Sequence, residues 1–162
     1  MLSLLLVLFM AAAAETESAT IIGPTNPQLA EGSQALLRGD PEEGVRLTHL
    51  GLSSATNSRD RLAGLSNLCA GYAMLGEWEK GLPFCDQAIE INDRHWRAYN
   101  NRALIFVRLG RYEEAEADLK RGEELAPNSR TLKVVRAMLL DKTNPVSPNI
   151  VIDDRRVPGD PE

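Results

Sequence analysis

The chain has 162 residues, 43% of them hydrophobic and 25% charged, with a net charge of −5 and a pI near 5.2. That is room for one ordinary domain with a normal apolar core. An acidic chain sparse in aromatics lacks the basic face and stacking platform of a nucleic-acid binder, so that class is set aside.

Residues 2–10 form an apolar run, Leu-Ser-Leu-Leu-Leu-Val-Leu-Phe-Met, followed by four alanines at 11–14. Small residues at Ala12 and Ala14 fit an A-x-A cleavage site that leaves Glu15 as the new N-terminus. Residues 1–14 are therefore expected to be a secretory signal peptide, and the protein to be exported, periplasmic or secreted. No Lys or Arg precedes the run, which departs from the usual signal. The alternatives are an uncleaved N-terminal membrane anchor or a misplaced start in a cytosolic protein. The run falls short of the roughly 20 apolar residues of a span, so no stable membrane span is expected after cleavage. Residues 15–27, rich in Thr, Ser, Pro and Gly, read as a disordered spacer.

Helical periodicity begins near Gln28. Helices are expected at about 28–38, 41–54, 60–75, 78–91, 95–109, 112–125 and 128–140. Gly39-Asp40, Gly76-Glu77 and Gly110-Arg111 mark tight turns, where glycine supplies the positive φ that ends a helix. Pro41 suits a first helical turn, and Pro83 falls early enough in its helix to be tolerated. Residues 141–162 carry Pro145, Pro148, Pro158 and Pro161 and are expected to be a disordered tail. Its one sticky segment is Ile150-Val151-Ile152.

A fixed offset of 34 residues runs through the helical region. Leu75-Gly76 recurs as Leu109-Gly110, Trp78 as Tyr112, Glu79 as Glu113, Asn67 as Asn101 and Ile91 as Leu125. Matched chemistry at one offset means one unit copied and stacked. Stacked units present a surface rather than a reaction centre.

Residues 96–129 resemble the tetratricopeptide repeat, with Tyr99, Ala103, Phe106, Gly110, Tyr112, Ala115, Gly122 and Pro127 at that family's signature positions. Residues 62–95 match next best through Leu65, Cys69, Tyr72, Gly76, Trp78, Gly81, Cys85 and Ala88. Asp93 stands where the family has proline, which should loosen that turn. Residues 25–58 read as a degenerate first copy, separated from the second by a three-residue insertion near Ser58–Arg61. Residues 130–140 read as a capping helix. The resemblance implies an all-α fold, a right-handed superhelix of antiparallel helix pairs over residues 28–140.

In that family the first helix of each pair lines a concave groove. The resemblance puts Ser66, Asn67, Ala70 and Met74 there from the second copy. From the third it puts Arg97, Asn100, Asn101, Leu104, Val107 and Arg108. Asn67 and Asn101 occupy a position where related proteins use an amide to hold a peptide backbone; an exposed helix-surface role is the alternative. Some members clamp a terminal carboxylate with Lys and Asn, but the clamp positions here hold Ser66 and Ala70, then Asn100 and Leu104. Cys69 and Cys85 fall in the packed seam of one hairpin, so the resemblance makes them a disulfide candidate if the chain is exported; two buried free thiols are the alternative.

No reactive constellation is visible. His49 and His95 are far apart without companion ligands, so no metal site is expected and both read as exposed. No catalytic residues and no cofactor are expected. The acidic residues of 113–124, among them Asp118, read as a solvated helix face. The expected function is a non-enzymatic scaffold that holds a partner protein's peptide in the groove. The alternatives are a structural subunit that self-assembles into a homo-oligomer through the groove or the tail, and a groove occluded by residues 148–157 folding back.

Overall fold

In a computed structural model of the protein, Thr20 and residues 24–144 are described. The expected signal peptide at 1–14, most of the spacer, and the tail beyond Asn144 with the candidate occluding segment lie outside the described residues.

Seven α-helices make up the described region: α1 Pro27–Leu37, α2 Pro41–Ser53, α3 Ser58–Leu75, α4 Trp78–Ile91, α5 Trp96–Arg108, α6 Tyr112–Leu125 and α7 Arg130–Thr143. Four of the starts, those of α1, α2, α3 and α7, carry a side-chain cap. Asn26 accepts from the backbone N–H groups of Gln28 and Leu29 ahead of Pro27. Asp40 does the same for Glu43 ahead of Pro41, and Ser129 for Leu132. Each satisfies a donor the first turn leaves orphaned. Gly39, Gly76 and Gly110 adopt φ of +78°, +73° and +73°, closing the α1–α2, α3–α4 and α5–α6 turns. These are the three turns expected from the sequence.

Consecutive helices pack as antiparallel pairs, and α1, α3, α5 and α7 each also touch the next in that series. They form an inner layer, with α2, α4 and α6 outside and α7 closing the end against α5 and α6. Small residues let the backbones approach. A Cβ on Gly32 would lie 2.6 Å from the Thr48 hydroxyl and 3.0 Å from its backbone nitrogen. The main apolar cluster joins Cys69, Ala73, Cys85, Ala103–Val107, Ala115, Leu119, Leu132, Val135 and Leu139. α7 contributes Leu132, Val135 and Leu139 to this cluster and runs to Thr143 rather than 140.

The insertion expected near Ser58–Arg61 is helical: it forms the first turn of α3, capped by Asn57, so the helix starts two residues before the expected 60. The Asn57 side chain in turn donates to Asp60, so cap and third residue lock each other. One expectation about connections is corrected: Asp93 does not leave its turn loose. The Asn92 side chain accepts from Arg94 N–H at 3.0 Å, and the Tyr99 hydroxyl donates to the Asp93 carbonyl at 3.1 Å. An Asx turn does what proline does elsewhere.

Cys69 on α3 and Cys85 on α4 are joined by a disulfide, with Cα atoms 5.2 Å apart and both residues fully buried.

Candidate functional site

The inner layer carries the predicted groove residues, and most are covered. Ser66, Asn67, Ala70, Asn100, Asn101, Leu104 and Val107 are buried; Met74 and Arg97 are half-buried; Arg108 is exposed. Burial is continuous along α3 from Ala63 to Gly71, so every face of the helix is covered there. On α5, Arg97 stacks its guanidinium over the Trp96 ring at 4.6 Å, and Arg108 lies 5.9 Å from the Trp78 ring.

At the centre is Asn101, fully buried. Its side-chain nitrogen donates to the Ser66 carbonyl at 3.3 Å, tying α5 to α3. The same nitrogen donates to the carbonyl of Thr20 at 3.0 Å, and its side-chain oxygen accepts from the Thr20 N–H at 2.8 Å. One amide thus takes both polar groups of one backbone residue, as a paired β-strand would. The Thr20 hydroxyl lies 2.8 Å from the same oxygen and 3.1 Å from the Arg97 carbonyl. The Asn100 side chain donates to Asn101 Oδ1 at 3.3 Å, and Ser66 Oγ is buried with no hydrogen-bond partner among the described residues. Thr20 is 6% exposed.

The spacer reading of residues 15–27 therefore fails at Thr20. It fails again at Thr25, whose N–H and hydroxyl both donate to the Asp60 carboxylate at 2.8 and 2.9 Å. The Asn57 amide, then the Thr25 bonds, hold the Asp60 carboxyl below its ordinary range.

Two other polar readings change. Asp118 is not on the solvated face: it is buried and takes the Arg102 guanidinium in a two-bond fork at 2.7 Å each. Arg102 also reaches Asp86 at 2.6 Å, joining α4, α5 and α6. Burial pushes the Asp118 carboxyl up against the pull of Arg102. Burial alone would lower the Arg102 pKa, but the bonds and charges of Asp118 and Asp86 outweigh it and hold it above its usual value. His49 is exposed as expected and meets the Tyr72 hydroxyl at 3.0 Å. His95 is half-buried instead, its Nε2 has no partner among the described residues, and burial followed by the Arg97 charge lowers its pKa to about 4. Among the described residues, no group of three or more His, Cys, Asp or Glu could hold a metal, and no helix is long and apolar enough to cross a membrane.

A sequence model described as tetratricopeptide repeat matches residues 68–140. A UPF0162 protein of Xylella fastidiosa strain Temecula1 is 30% identical over 80 residues, 49% of this chain and 28% of that protein. Tetratricopeptide repeat protein 12 of Mus musculus is 27% identical over 97 residues, 60% of this chain and 13% of that protein. The chain thus spans less than a third of the length of these curated relatives. Among solved structures, the first TPR of Spaghetti (RPAP3) bound to HSP90 peptide SRMEEVD superposes with a TM-score of 0.60 at 22% identity. That match covers 68% of this chain and 89% of the other. The Arabidopsis OM64 TPR domain does so at 0.60 and 23%, covering 69% and 90%. The helix pairs of the described residues therefore have the tetratricopeptide repeat fold, and residues 68–140 carry that family's sequence pattern.

Proposed function

We propose that this protein is a non-enzymatic adaptor that holds an extended segment of a partner protein along the inner face of the helix pairs. The observation that carries the reading is the Asn101 amide, which grips the N–H and C=O of one backbone residue at 2.8 and 3.0 Å. A grip on backbone groups suits a scaffold better than a catalyst. The neighbouring structure described as bound to an HSP90 peptide supports peptide capture as the mode. The positions at which some relatives clamp a carboxylate terminus are uncharged here, holding Ser66, Ala70, Asn100 and Leu104. Recognition by backbone bonds and apolar contact follows, at roughly 1.5–3 kcal/mol per buried leucine before ordering costs. Arg97 and Arg108 flank this face and favour an acidic partner segment.

The same proposal includes export. The apolar run of residues 2–10 supports it, and so does the Cys69–Cys85 bond, because oxidising compartments preserve disulfides while the cytosol reduces them.

Display of random peptides against the purified chain tests the groove. Enriched ligands should lose most of their affinity to the double variant Arg97→Glu, Arg108→Glu while helix content stays constant. Ligands that bind this variant as well as the parent would remove the groove's basic side from the account. Sedimentation of the ligand-free chain runs beside it, since a stable dimer would favour self-assembly instead.

A further inference from the structure

We propose that the Asn101 rung is a receptor for extended backbone bearing a Ser or Thr at the gripped position. Its resident ligand is this chain's own N-terminal segment at Thr20, which a partner must displace. The inference rests on the groove reading and adds its regulation and its preference.

The contact is chemically complete. Thr20 offers a backbone donor and a backbone acceptor, and Asn101 matches both with one planar amide. The Asn101 amide is oriented beforehand, because its nitrogen also bonds the Ser66 carbonyl. The hydroxyl adds a side-chain criterion. It has two acceptors in reach, Asn101 Oδ1 and the Arg97 carbonyl, and glycine, alanine or valine has no donor for either. Residue and rung are both buried, so an unmatched donor or acceptor there is costly.

The contact is also held in place. Thr25 is fastened to Asp60 by its N–H and hydroxyl. Four residues then separate Thr25 from Thr20, five Cα steps with a reach of about 17 Å when extended. A ligand on so short a tether has an effective concentration on the order of 1 mM. If the free segment binds with a Kd of roughly 100 μM, the rung is self-occupied in about nine molecules of ten. Partner affinity is then reduced about tenfold, an amount a partner with additional contacts overcomes.

The test uses the full chain and a labelled synthetic peptide of residues 15–24 as probe. The Thr20→Pro variant removes the gripped N–H and the hydroxyl, and Thr20 lies outside every helix, so circular dichroism should not change. The peptide should bind Thr20→Pro about tenfold more tightly than the parent chain. A peptide with Ser at the Thr20 position should retain binding, one with Ala should lose severalfold, and one with Pro should not bind. In the parent chain the Thr20 amide should exchange with solvent at least tenfold more slowly than in the free peptide. Equal peptide affinity for parent and variant, with an unprotected Thr20 amide, would overturn self-occupancy and leave the groove reading standing. A protected amide with no peptide bound by Thr20→Pro would overturn the receptor and count against the groove. Equal binding of the Ala and Thr peptides would remove the hydroxyl preference.

Discussion

Breaking the Cys69–Cys85 bond should destabilise the helix pairs by an amount that follows from chain length alone. The bond closes a loop of 16 residues between α3 and α4. Chain-entropy reasoning gives about 10 cal/mol/K for such a loop, or about 3 kcal/mol at 25 °C. Little native-state compensation is available, since both cysteines are fully buried within the main core cluster and water gains nothing from the freed thiols. An unfolding entropy of about 2.1 cal/mol/K per residue over roughly 120 folded residues turns this into a fall in melting temperature of about 12 °C. Circular dichroism melts of oxidised protein, reduced protein and the double variant Cys69→Ala, Cys85→Ala provide the comparison. The two bond-free forms should agree within a few degrees, because alanine at both sites leaves only a small gap. Melting points of oxidised and reduced protein within about 3 °C would refute the reasoning. Complete alkylation of both cysteines without reductant would refute the bond itself.

Glycine contacts make a paired prediction. Gly32→Ala pushes a methyl to 3.0 Å from the Thr48 backbone nitrogen and 3.1 Å from the Gly44 carbonyl oxygen, so urea unfolding should show a loss of about 1–3 kcal/mol. Gly122→Ala meets the branched end of Leu132, which can turn aside, and the better helix former should bring the net change within about 1 kcal/mol of zero. His95 makes a pH prediction. Its pKa falls from 6.5 to about 4 on folding, so the unfolded chain binds the extra proton between those values. Stability should decline as pH drops from 6.5 towards 4, by on the order of 1–2 kcal/mol after screening by solvent at this half-buried site. His95→Gln should flatten that limb of a stability–pH curve; an unchanged slope would assign it to other groups.

The helical frame was legible because its determinants are local or periodic. Gly39, Gly76 and Gly110 sit at the turns they announce, and the bulky-small alternation repeats at one offset. What was missed depends on partners distant in sequence. Asp118 reads as one acid among several until the Arg102 fork, 16 residues earlier, is seen on the neighbouring helix. Thr20 lies in a stretch without periodicity, 81 residues from the amide that grips it, and nothing nearby marks it. The signal that could have helped was Asn101 itself, an amide at an inner-face position whose groups need satisfying. The insertion near Ser58–Arg61 was legible as extra length, but the helix was expected to start only at about 60; the Asn57-Ser58-Arg59-Asp60 cap pattern is what carries it back to Ser58.

That lengthened helix has a consequence for how the array could change over time. With 18 residues, α3 is about 27 Å long against about 20 Å for the 13 residues of α5, and the surplus carries Asp60 out to meet Thr25. The first turn of that surplus is a mooring post for Thr25. Shortening it by one turn would remove the Thr25 anchor, so indels at this point offer a route to vary access without rebuilding the solenoid.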